Sequence, residues 1–260
     1  VAGWDFIPTF AQKEFALAPV CTKIVSGNDM DLPQERPVVV LAHGYAGSRF
    51  DLSHLAEELA SQGFVCVAVD YPESLGATYD LHPNLNRGSI NDALLKAIDD
   101  EWNLKPSSYG VVGHSLGCGT VQQIGDEKWA RVSIAGFPRS ANNRASNGLF
   151  ITSTNDGVTS MMAAGGVVSA ITASRYELLT LSSATNNDQP VPRRAALILD
   201  EPNHLSFLSE GVNDAMIQFL SPLLPVAQTL QIPVLDFDRY KESRDSKATA
   251  ELYHPVVVRY

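Results

Sequence analysis

The chain has 260 residues, 45% hydrophobic and 18% charged, which suits one large domain with a substantial core and excludes the composition of a disordered segment. Nineteen basic against 29 acidic residues leave a formal charge of −10, so an anionic surface repels phosphate backbones and nucleic acid is not expected as a partner. No stretch approaches the roughly 18 uninterrupted apolar residues of a membrane span, which leaves transient contact of an apolar patch with a membrane surface as the most a bilayer would see.

Three cysteines, Cys21, Cys66 and Cys118, are too few for a disulfide scaffold and lack the paired spacing of a metal site, although a single bridge stays compatible. The chain begins at Val1, from which we expect any targeting peptide to have been removed, so localisation is not legible at that end.

In chain order, Thr22–Ser26 offers a weak edge-strand pattern, and the first clear strand is the apolar run 37–43 (PVVVLAH). LSHLAEELAS at 52–61 follows as an amphipathic helix, with Leu52, Leu55 and Leu59 on one stripe and Gly63 as its stop. Further strands are expected at 64–70 (FVCVAVD), 109–114 (YGVVGH), 131–136 (RVSIAG), 149–154 (LFITST) and 195–200 (AALILD). Helices are expected at 90–102, 116–124, 161–176 and 206–220. Continuous apolar runs, as opposed to alternation, indicate strands covered on both faces. Strand alternating with helix then predicts an α/β fold: a mostly parallel, doubly wound sheet with helices on both faces. No repeat or linker divides the chain, so residues 1–260 read as one domain, with a core of about 37–222. Residues 223–260 form a C-terminal extension of open role. The stretch 226–260, with its charged segment DFDRYKESRDSK (236–247) and its apolar end PVVVRY (255–260), reads as a solvated tail packing back onto the domain.

The sharpest chemical signal is Gly113-His114-Ser115-Leu116-Gly117, a GxSxG pentapeptide between an expected strand and an expected helix. A serine on so tight a turn needs small residues two positions away on either side, and the turn lifts its hydroxyl clear of the sheet. Ser115 is thus the candidate nucleophile. A neutral hydroxyl attacks poorly, so a base and an orienting carboxylate must follow in the order Ser, acid, His. Asp156 sits just past the strand 149–154 and His204 just past the strand 195–200, both at the carboxyl edge where open α/β sheets place their sites. Asp156 competes with Asp70, Asp126, Asp200 and Glu201, and with the plainer role of an Asx turn before Gly157. Among the other histidines, His43 reads as structural or pocket-lining, His54 as a boundary residue and His114 as packing beside the elbow. His82 precedes the nucleophile without a strand before it, and His254 lies in the tail. The oxyanion hole needs two N–H donors. Leu116, after the nucleophile, supplies one, and Tyr45, in the loop His43-Gly44-Tyr45-Ala46-Gly47, supplies the other.

Phosphate-loop, dinucleotide and HExxH patterns are missing, so no cofactor and no metal are expected. The segment LAHGYAGSRFDLSHLAEELASQGFVCVAVDYPESLGATYD (41–80) resembles the plasma-type platelet-activating-factor acetylhydrolases of the α/β-hydrolase superfamily, as does His204-Leu205-Ser206-Phe207. Chlorophyllases and cutinase-like polyester hydrolases are similar in the ASxGF strand and in the elbow. The elbow departs from theirs by Cys118 in place of a glycine, and from chlorophyllases by Leu116 in place of an arginine.

The resemblance covers about 38–207 and implies an α/β-hydrolase fold, the triad Ser115, Asp156 and His204, and oxyanion donors at Tyr45 and Leu116. It also implies a serine esterase acting on a lipophilic ester, either a chlorophyll phytyl ester or an acetylated phospholipid. A plastid location goes with the first substrate, and secretion or the cytosol with the second. The stretch 157–192 is long enough to form a cap over the pocket, or an ordinary crossover. A non-catalytic receptor that keeps the elbow is the alternative from a different class; such proteins usually lose a triad member, and here all three positions are filled.

Overall fold

The computed structural model describes residues 35–74, 86–100, 105–136, 148–158, 176–180, 190–223, 225, 229 and 245–260. Cys21, the weak strand at 22–26, His82, almost all of the helix expected at 161–176, and most of the cap candidate 157–192 lie outside the described residues.

Seven strands form one sheet: β1 (Val38–Ala42), β2 (Val65–Ala68), β3 (Tyr109–His114), β4 (Ala130–Ile134), β5 (Gly148–Ser153), β6 (Glu177–Leu179) and β7 (Arg194–Leu199). They lie in the order β2-β1-β3-β4-β5-β7-β6, and every pairing is parallel. Among the described residues the helices are α1 (Ser53–Ser61), α2 (Arg87–Asp100), α3 (Gly117–Gln123), α4 (Glu210–Leu220) and α5 (Ser246–Arg259), with a 3₁₀ turn at Ser221–Leu223 after α4.

The uninterrupted apolar run of β1 has a simple cause. Side chains alternate between the two faces of a strand, and both faces are covered. Val39 and Leu41 join a core with Leu55 and Leu59 of α1 and Tyr253, Val256 and Val257 of α5. Val38 and Val40 join a second core with Leu94 and Ile98 of α2 and Val121 of α3. The expected α/β-hydrolase fold, a parallel sheet with helices on both faces, is what forms.

The structure departs from expectation at the C-terminus. Residues 246–259 do pack back onto the domain, but as a helix rather than a solvated tail; most of the charged segment 236–247 lies outside the described residues. Asp245 caps the helix, its carboxylate accepting the N–H groups of Lys247 and Ala248. Its buried face of Ala250, Tyr253, Val256 and Val257 belongs to the main core, and helical spacing is what gathers those four on one side. Strand β6 was also not expected. It has three residues, two of them exposed, at the sheet edge, so it lacks the apolar run that marks a covered strand.

Candidate active site

The carboxyl ends of β1, β3, β5 and β7 bring four loops together. At the end of β3 the chain turns within two residues into α3, and Ser115 takes φ 53°, the left-handed region that side chains rarely occupy. Neighbouring glycines allow that turn. A Cβ on Gly113 would fall on the Gly117 carbonyl, and a Cβ on Gly117 on the Ala42 carbonyl. The Ser115 N–H donates to the Ile134 carbonyl at 2.9 Å, and the Ser115 carbonyl accepts from the Cys118 N–H at 3.0 Å. At the far end of α3, the buried Arg131 donates to the carbonyls of Val121, Ile124 and Asp126, groups a helix end leaves unpaired.

Asp156 follows β5 and is fully buried. Its Oδ1 accepts the Val158 N–H at 3.0 Å. His204 follows β7 in a loop organised by Asn203, whose side-chain oxygen accepts from the Leu205 N–H, the Ser206 N–H and the Ser206 hydroxyl, each at 3.0 Å. Three further contacts anchor that loop. His114 Nε2–H donates to the His204 carbonyl at 3.0 Å, Asn213 Nδ2 to the Leu205 carbonyl at 2.8 Å, and Tyr253 Oη to the Phe207 carbonyl at 3.2 Å.

These loops place Ser115 Oγ 2.9 Å from His204 Nε2, and His204 Nδ1 lies 3.0 and 3.1 Å from the two oxygens of Asp156. A carboxylate only accepts, so Nδ1 carries the proton and Nε2 is left as the acceptor facing the serine hydroxyl. The N–H groups of Tyr45 and Leu116 have no hydrogen-bond partner among the described residues.

Residues 39–254 match the alpha/beta hydrolase family. The chain belongs to that family. No curated protein matches its sequence significantly. Among solved structures it is similar to TT1662 from Thermus thermophilus, at 14% identity and a TM-score of 0.44 over 66% of this chain and 83% of that one. It is also similar to MGS-M1, an alpha/beta hydrolase enzyme from a Medee basin deep-sea metagenome library. There the identity is 12% and the TM-score 0.44, over 76% of this chain and 86% of that one.

Three of the four rival acids are engaged elsewhere. Asp70 pairs with Arg49 at 3.2 Å, Asp126 accepts the Lys128 N–H, and Asp200 accepts the Thr154 hydroxyl. Glu201 lends its backbone carbonyl to Asn155. Of the rival histidines, His54 and His254 face each other with their rings tilted by 45° and their centroids 4.7 Å apart, beside Tyr253. His43 spans two loops: it donates from Nδ1 to the Gly44 carbonyl at 2.7 Å and accepts the Tyr71 N–H at Nε2 at 2.9 Å. Burial holds His43 down at about 4 and His114 at about 3, so both are neutral and each can donate from one nitrogen only. Burial pushes the Cys118 thiol up to about 12, which removes it as a competing nucleophile.

A cavity of about 40 Å³ opens beside Ser115, lined by Gly44, Tyr45, Leu205, Leu208, Met216 and Asp51 among others. Sequence reasoning missed Asp51. It is buried, accepts from both the N–H and the hydroxyl of Ser48, and is raised by burial to about 7. The one available signal was the spacing Ser48-x-x-Asp51, which is common in turns. Tyr45, which lines the cavity, is 68% exposed, and Leu116, next to Ser115 in the chain, is 43% exposed. No group of acidic, histidine or cysteine side chains among the described residues is arranged to hold a metal ion, and no described helix is long and apolar enough to cross a membrane.

Proposed function

We propose that this member of the alpha/beta hydrolase family is a serine-dependent carboxylic-ester hydrolase. The observation that carries the reading is the unbroken chain from Ser115 Oγ through His204 to Asp156. His204 takes the Ser115 proton as Oγ attacks the ester carbonyl. The tetrahedral oxyanion lies against the Tyr45 and Leu116 N–H groups, which have no other partner among the described residues. The alcohol leaves with the proton from His204. Water, deprotonated by the same imidazole, then frees the acid and restores the serine. Asp156 keeps the imidazole in the right tautomer and stabilises its charged form.

The lining of Tyr45, Leu205, Leu208 and Met216 supports a lipophilic ester as substrate. The resemblance of 41–80 to acetylhydrolases and chlorophyllases names two candidates, an acetylated phospholipid and a chlorophyll phytyl ester. The test is initial rates on short- and long-chain p-nitrophenyl esters, an acetylated phospholipid and chlorophyll a, with wild type and Ser115→Ala. Ser115-dependent turnover is the expected outcome, and the preferred substrate separates lipid from pigment. Absence of turnover and of fluorophosphonate labelling in a folded protein would replace this reading with a non-catalytic ligand-binding role.

A further inference from the structure

Arg87 is the first residue of α2. A cation there opposes the helix dipole, whose positive end lies at the N-terminus, so the helix gains nothing from it. Its partners lie on the other side. The side chain is 12% exposed and its Nε donates to Glu73. The guanidinium carbon sits 4.1 Å from the centre of the Tyr71 ring. Nη1 donates to the Thr120 hydroxyl on α3 at 3.0 Å. Nη2 donates to the His43 carbonyl at 2.9 Å and reaches the Gly44 carbonyl at 3.4 Å.

The Gly44 carbonyl also accepts from His43 Nδ1 at 2.7 Å and from the Gly47 N–H at 3.3 Å. That carbonyl and the Tyr45 N–H belong to one peptide unit, and the peptide is trans, so the two groups point in opposite directions. Fixing the oxygen therefore aims the N–H. Hydrogen bonds in series also polarise one another, so a cation on the oxygen side makes the opposite N–H a better donor to a developing negative charge.

We propose that Arg87, buttressed by Glu73 and Tyr71 and tied to α3 through Thr120, is a positioning residue for the oxyanion hole, acting through the Gly44–Tyr45 peptide. The inference rests on the serine-hydrolase reading. Because Arg87 does not touch the substrate, its loss should slow the chemical step while leaving ground-state binding nearly unchanged.

The experiment measures p-nitrophenyl ester hydrolysis per active serine, with serines counted by alkyl fluorophosphonate titration, in wild type, Arg87→Met and Arg87→Lys. Counting serines removes any contribution from misfolded protein. Removing an oxyanion donor outright costs about 10²–10³ in kcat, and Arg87 acts one step back. The expected loss in Arg87→Met is therefore about tenfold or more in kcat per titrated serine, with KM within about twofold and fluorophosphonate inactivation slowed in parallel. Arg87→Lys keeps the charge without the fork and should recover part of the loss. Wild-type kcat per titrated serine in Arg87→Met, or a change confined to KM, would overturn the proposal. Should Arg87→Met not fold, Thr120→Val removes only the Nη1 anchor; a lower kcat with unchanged KM supports the proposal and an unchanged kcat overturns it. Wild type that neither turns over nor labels at Ser115 would sink the hydrolase reading and this inference with it, whereas an active wild type with an indifferent Arg87→Met sinks the inference alone.

Discussion

Acidification should unfold this protein steeply, and the buried histidines set how steeply. Burial lowers His43 and His254 from 6.5 to about 4, and His54 and His114 to about 3. His43 and His114 are 2% and 3% exposed, so solvent screens them little. Each binds a proton in the unfolded chain well before the native state accepts one, so its contribution is present above 6.5 and is lost as pH falls toward the folded value. Asp51 works in the opposite sense. Its value rises from 3.8 to about 7, so its contribution is fully present below 3.8 and is lost as pH rises through 7. Near pH 5 the unfolded chain therefore holds up to four more protons on these histidines and the native chain one more on Asp51. The net of about three protons gives a slope of about 4 kcal/mol per pH unit. Two pH units then remove about 8 kcal/mol, enough to unfold a molecule in the lower half of the typical range of about 5–15 kcal/mol. Urea midpoints measured from pH 7.5 to 4.5 check this, and Asp51→Asn should steepen the fall below pH 6.5 by about one proton. A midpoint that stays level between pH 7 and 5 would refute the reasoning, because it would mean that these imidazoles titrate freely in the native state.

Three other outcomes are expected. Asp156→Asn should lower kcat by about 10³ or more, since an amide would favour the wrong imidazole tautomer, whereas Asp200→Asn, whose side chain accepts only the Thr154 hydroxyl at 3.4 Å, should stay within about twofold; steady-state rates on one ester decide it. Gly117→Ala should destabilise by about 3 kcal/mol or more, because its Cβ would fall on the Ala42 carbonyl in the tightest contact between elbow and sheet, and a thermal melt at wild-type temperature would contradict that. Tyr253→Phe should cost about 1–2 kcal/mol in chemical denaturation, since it removes the hydroxyl shared by His54 Nε2 and the Phe207 carbonyl.

The parts of the molecule that a sequence reading recovers are those whose cause is local. Six of the seven strands are announced by apolar runs because both faces of the sheet are covered, and the exception, Glu177–Leu179, is an exposed edge. Boundaries move where a side chain competes with the backbone. Helix α4 was expected from Ser206 but starts at Glu210, because Asn203 collects the Leu205 and Ser206 N–H groups into a turn of its own. The C-terminal helix was hidden by the charged run before it and by Pro255 within it. Its signal was present all the same, in the cap at Asp245 and the spacing of Ala250, Tyr253 and Val257.

Candidate site residues divide along the same line. Ser115 was legible because a hydroxyl on a tight turn demands glycine neighbours in sequence, and Asp156 and His204 because each follows a recognisable strand. Arg87 leaves no such trace, since what it holds lies elsewhere, and Asp51 leaves only a common one. Arg87 reaches 43 and 44 residues back along the chain to two backbone carbonyls, and a carbonyl has no residue identity for a pattern to register. Asp51 binds backbone N–H and a serine hydroxyl only three residues away, a contact that any surface turn could make. What separates it from such turns is burial beside the candidate pocket, a property of the folded molecule alone. The candidate reacting groups are thus placed by short-range sterics and by strand ends, while a positioning residue of the kind proposed for Arg87 is placed by tertiary contacts to the main chain. Substitutions at the second kind should change rate with little change in motif or fold, so relatives with the same elbow and triad can differ widely in turnover.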